Sequence, residues 1–92
     1  MNERIRVRMK EIEYTPQGTC SRKIYVRMED GIVEEVIFTG GCSGNTKGVA
    51  ALVRGMEGEE AVRRLSGIRC GPRNTSCPDQ LAKAISLCME KN

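Results

Sequence analysis

Histidine is absent from this chain, and so is tryptophan. Without histidine the chain holds no Ser-His-Asp or Cys-His catalytic site, no Cys2His2 zinc finger and no His-ligated haem. Aromatic residues make up only 3%: Tyr14, Tyr25 and Phe38. That is too few for the stacking platform of an RNA-recognition or single-strand-binding sheet. No apolar run approaches the roughly 18 residues of a membrane-spanning helix. The first residues lack the apolar segment of a signal peptide, so a cytoplasmic protein is expected. The net charge of +3, from 15 basic and 12 acidic residues, falls short of a dedicated nucleic-acid binder.

What the chain does have is cysteine, five in 92 residues, a length that suits one domain spanning 1–92. In a reducing compartment thiols stay free, so five of them point to metal binding or redox chemistry before a disulfide framework.

The first half has the period of strands. Ile5, Val7 and Met9 alternate with basic residues, and Ile12 and Tyr14 continue with the parity shifted. Pro16, Gly18 and Thr19 form a loop that carries Cys20. A second strand is expected over Arg22 to Glu29 and a third over Ile32 to Thr39. Asp30-Gly31 joins them as a two-residue hairpin turn. A regular hairpin would pair Ile24 with Ile37, Met28 with Val33, and Arg27 with Glu34.

The second half has the period of helices. Gly40 to Gly44 forms a turn, and from Asn45 the residues Val49, Leu52, Val53 and Met56 recur at helical spacing, with Gly55 and Gly58 punctuating the end of that helix. A short helix is expected over Glu59 to Leu65, with Ala61, Val62 and Leu65 inward and Gly67 after its end. The last helix runs over Pro78 to Met89 with Leu81, Ala84, Ile85, Cys88 and Met89 in one stripe. The fold class is therefore α+β, a three-stranded antiparallel meander followed by three helices packed on one face.

Four of the cysteines, Cys20, Cys42, Cys70 and Cys77, sit in turns at element ends, where side chains from different elements converge. Cys88 instead lies in the apolar stripe of the last helix and reads as a core residue. Cys77 precedes Pro78, which suits a helix start, so Cys77 is expected at the N-cap, where the helix dipole favours a thiolate. Four thiolates suit zinc or an iron–sulfur cluster, and spacing does not choose between them. A closed zinc site would also add folding free energy to a core poor in aromatics. The rival is thiol redox chemistry through Cys70 and Cys77, whose six-residue spacing is not a C-x-x-C motif.

Thr75-Ser76-Cys77-Pro78-Asp79 spells TSCPD. With Gly40-Gly41-Cys42-Ser43-Gly44-Asn45, Gly48 and Ile68-Arg69-Cys70, nearly the whole chain resembles the TSCPD-domain family. That family includes short stand-alone proteins and a C-terminal segment of vitamin-B12-dependent ribonucleotide reductases. The resemblance implies a metal site at Cys20, Cys42, Cys70 and Cys77, and a ribonucleotide reductase or another redox enzyme as partner.

The element order is also similar to iron–sulfur scaffolds of the NifU or ISU type. There Cys20, Cys42 and Cys77 match the cysteine positions. Arg22 stands where scaffolds carry Asp, and Ser76 where they carry His. Those departures imply a tighter, all-thiolate site in place of labile cluster assembly.

The expectation is a metal-binding accessory domain, zinc first and an iron–sulfur cluster as the alternative cofactor. A thiol redox protein that donates electrons to a reductase is the other reading. No general base, phosphate loop or nucleotide fingerprint marks an autonomous enzyme. No specific nucleic acid and no membrane is expected as partner, and an exposed edge strand makes a homodimer an expectation.

Overall fold

The computed structural model describes residues 9–19, 21–40 and 43–91. The expectations for Ile5, Val7, Cys20, Gly41 and Cys42 lie outside the described residues. Three strands come first: β1 (Met9–Tyr14), β2 (Ser21–Glu29) and β3 (Ile32–Gly40), in the order β1-β2-β3 with both pairs antiparallel. Three helices follow: α1 (Ser43–Val53), α2 (Gly58–Leu65) and α3 (Cys77–Glu90). This is the expected α+β meander and helices.

Alternation decides the two faces of the sheet. Ile24, Val26 and Met28 of β2 are buried, as are Val33 and Val36 of β3. Against them pack Leu81, Ala84, Ile85 and Cys88 of α3, Ala61 of α2 and Val53 of α1. Burying Leu81 or Ile85 fully stabilises by about 1.5–3 kcal/mol each. The other face is solvated and mostly polar, with Met9 and Ile37 as exposed apolar residues on it. There Lys23 pairs with Glu13 at 3.7 Å, Arg27 with Glu35 at 3.5 Å, and the Tyr25 hydroxyl donates to Glu11 at 2.7 Å.

Asp30 and Gly31 both have positive φ, 53° and 81°, as the two-residue turn requires. The register departs from the regular hairpin. Met28 pairs with Val33 as expected, but Ile24 pairs with Phe38 and Arg27 with Glu35. A bulge between Arg27 and Met28 takes up one extra residue of β3, so the pairings of Lys23 to Arg27 move by one, and a second irregularity between Ser21 and Lys23 restores the register at Ser21 and Gly40.

The first helical stripe is also only partly inward. α1 ends at Val53, Leu52 is 76% exposed, and Met56 lies beyond the helix. At Gly55, with φ of 85°, the chain turns back to the free edge of β3. The Gly55 N–H donates to the Val33 carbonyl at 2.7 Å, and the Val33 N–H donates to the Met56 carbonyl at 2.9 Å. This covers the beginning of an otherwise open edge.

At the far end of α3, cations meet its last carbonyls and the neighbouring strand. Lys10 Nζ donates to the Met89 carbonyl at 2.8 Å, and Lys91 Nζ donates to the Glu11 carbonyl at 2.6 Å. Both bonds tie the outer strand β1 to α3, so the beginning of α3 is held at the opposite end of the sheet.

Candidate metal centre

The site is built on the first turn of α3. Its N-cap is Ser76, not Cys77: Ser76 has extended backbone, and its Oγ accepts the Asp79 N–H at 3.1 Å. The reason is Ser76's own chemistry, since a hydroxyl is a far better cap acceptor than a thiol. Cys77 becomes the first helical residue and Pro78 the second. The Ser76 hydroxyl also donates to the Ile68 carbonyl at 2.6 Å, holding the incoming loop against the helix.

Each polar member of the Thr75–Asp79 segment has a partner. The Asp79 carboxylate accepts the Gly67 N–H at 2.7 Å and the Thr75 hydroxyl. The Thr75 hydroxyl first, and the Gly67 N–H second, hold the Asp79 carboxyl below its ordinary value. Gln80, only 3% exposed, extends the network. Its amide donates to Thr75 Oγ1 at 3.0 Å, and its carbonyl accepts the Tyr14 hydroxyl at 3.1 Å and the Gln17 N–H at 3.0 Å.

The loop between the two cysteines closes on itself. The Cys70 N–H donates to the Thr75 carbonyl at 3.2 Å, and the Arg73 N–H donates to the Cys70 carbonyl at 3.1 Å. The result is that Cys70 and Cys77 line one cavity of 210 Å³. Thr19 and Asn45 line it too. Thr19 is next to Cys20 in sequence and Asn45 is three residues after Cys42. Ser21, on the other side of Cys20, is paired in the sheet with Gly40, two residues before Cys42. Arg69 and Arg73 also line the cavity, and no carboxylate does among the described residues.

Cys70 is exposed, whereas Cys77 is buried with its Sγ 2.9 Å from the Ser21 hydroxyl. Both are free thiols. Cys88 is fully buried in the core, as its helical stripe implied, and burial pushes its thiol up from the ordinary value. Among the described residues, no group of three or more metal-ligating side chains is assembled. Cys20 and Cys42 are outside that set.

The site residues that sequence reasoning passed over are Thr19, Ser21 and Gln80. A signal existed for Gln80: it falls in the apolar stripe of α3 with Cys77, Leu81 and Ala84, where an amide must find partners. Thr19 and Ser21 flank Cys20, but nothing in their spacing says that they reach another element.

A small α+β domain with two cysteines on one cavity, at the beginning of its last helix, is the class that this fold and site define. The chain matches the model of the TSCPD domain over residues 3–89, and it belongs to that family. The comparison with curated proteins and that with solved structures return no significant match. No helix among the described residues is long and apolar enough to cross a membrane.

Proposed function

We propose that this TSCPD domain is a metal-binding accessory module in which Cys20, Cys42, Cys70 and Cys77 supply four thiolates to one zinc ion. The observation that carries the reading is the shared cavity. Cys70 and Cys77 line it together with Thr19, next to Cys20 in sequence, and Asn45, three residues after Cys42. The donor chemistry fits, because thiolates select zinc or iron–sulfur centres over harder metals. The lining fits as well: Arg69 and Arg73 offset the negative charge that four thiolates bring, and among the described residues no carboxylate adds to it. When bound, zinc would close the ends of β2, β3, the Cys70 loop and α3 into one unit and add its binding free energy to folding.

The protein acts on this reading as a module for another enzyme. The family's link to ribonucleotide reductases makes such an enzyme the first partner to test. The experiment is metal analysis and a visible spectrum of protein purified without oxygen. Stoichiometric zinc without colour supports the reading. Iron, sulfide and a brown colour replace zinc with an iron–sulfur cluster on the same cysteines. No metal, with a reversible Cys70–Cys77 disulfide, replaces it with thiol redox chemistry.

A further inference from the structure

We infer that the hydroxyls of Thr19 and Ser21, the two residues that flank Cys20, donate hydrogen bonds to the sulfurs of the thiolate site and set how tightly it holds a metal. The inference rests on the metal reading above and goes beyond it, because it assigns work to side chains that are not ligands.

Ser21 supplies the first observation. Its Oγ lies 2.9 Å from Cys77 Sγ, joining β2 to α3 across 56 residues, and Ser21 is only 5% exposed. A free thiol and a hydroxyl can each donate in such a pair. A metal-bound thiolate has no proton, so the hydroxyl must then be the donor. The bond becomes charge-assisted, and its location away from water strengthens it.

Thr19 supplies an independent observation. Its Oγ1 is buried and has no hydrogen-bond partner among the described residues, although the residue lines the same cavity as Cys70 and Cys77. A buried hydroxyl without an acceptor is costly and uncommon in folded proteins. A thiolate sulfur arriving in that cavity is an acceptor of the kind that it lacks. Threonine at this position is thus a cost in the metal-free chain and a contribution in the loaded one. Gly18 keeps the adjoining backbone close: a Cβ there would come within 3.1 Å of Thr75 Cγ2.

Outer hydrogen bonds of this kind change metal affinity by about 10–100-fold. The test is zinc affinity of the full chain, by competition with a chromophoric chelator, together with the melting temperature of the zinc-loaded protein. Ser21→Ala is expected to bind zinc about tenfold more weakly, and Ser21→Thr, which keeps the hydroxyl, to bind like wild type. Thr19→Val keeps the shape and removes the hydroxyl. If Thr19 donates to sulfur, the loaded variant melts lower and binds zinc more weakly. If Thr19 is merely unsatisfied, the loaded variant melts higher at unchanged affinity, which overturns its part of the inference. Unchanged affinity in Ser21→Ala overturns the other part. Wild-type protein that takes up no zinc overturns the metal reading, and this inference with it.

Discussion

The Asp79 carboxylate accepts the backbone N–H of Gly67 at 2.7 Å, across 12 residues, and so fastens the end of α2 to the beginning of α3. The same carboxylate accepts the Thr75 hydroxyl. Both ends of the loop that carries Cys70 therefore hang on one side chain. Replacing Asp79 with Ala removes both acceptors, and each charge-assisted bond contributes about 1.5–3 kcal/mol in a shielded setting. A loss of about 2 kcal/mol in urea unfolding is expected after discounting for partial exposure. Zinc affinity is expected to fall with it, because the spacing of Cys70 and Cys77 is no longer fixed.

Gln80 is the second anchor. It joins β1 and the following loop to the Thr75 hydroxyl through three hydrogen bonds. Gln80→Leu keeps the volume but leaves the Tyr14 hydroxyl and the Gln17 N–H without their acceptor. The expected cost is about 2 kcal/mol, read from urea unfolding. A variant as stable as wild type would show that water replaces the amide.

Cys88 separates the core from the site. Cys88→Ala should lower stability by about 1 kcal/mol, the scale of one lost buried group, and leave zinc content unchanged. Loss of zinc from this variant would mean that the ligand set is wrong. Its pH dependence has a defined sign. Burial raises the folded thiol above its ordinary value of 9.0, so the folded chain keeps this proton to higher pH than the unfolded chain. The contribution is complete below pH 9 and is lost as pH rises through the folded value. The stability gap between wild type and Cys88→Ala should therefore narrow in alkaline unfolding curves.

Gly58 opens α2 against two methionines. A Cβ there would lie 2.6 Å from Met28 Cε and 2.7 Å from Met89 Sδ. Met28 is 2% exposed and has little room to move. Overpacking of about 1–3 kcal/mol outweighs the gain in helix propensity at a first-turn position. Gly58→Ala should therefore melt below wild type, whereas a higher melting temperature would show that the methionine ends yield.

The order and type of the elements were legible because each has a clear period and clear punctuation. Asp30-Gly31 gave the hairpin, Pro78 the beginning of α3, and Gly67 the exit from α2. The sheet register was not, since unbroken alternation about Asp30-Gly31 predicts a regular hairpin. Yet Val33 and Val36 are both buried with Glu34 and Glu35 between them, and that three-residue step is what a bulge leaves in the sequence. Gly55 marked the end of α1, but the place of Met56 beyond it was not legible, for a different reason. Leu52 and Met56 fit a helical stripe, but the pull of the open β3 edge on Gly55 and Met56 is a tertiary effect. In the site, the cysteine types and the loop that joins Cys70 to Cys77 could be read locally. The Ser21–Cys77 contact could not, because it joins residues 56 apart.

The most direct measurement is X-ray absorption at the metal edge of protein purified without oxygen. The account predicts zinc with four sulfur neighbours at about 2.3 Å, and fewer in Cys70→Ser. A metal shell dominated by oxygen, or protein that carries no metal with all four cysteines intact, would contradict it.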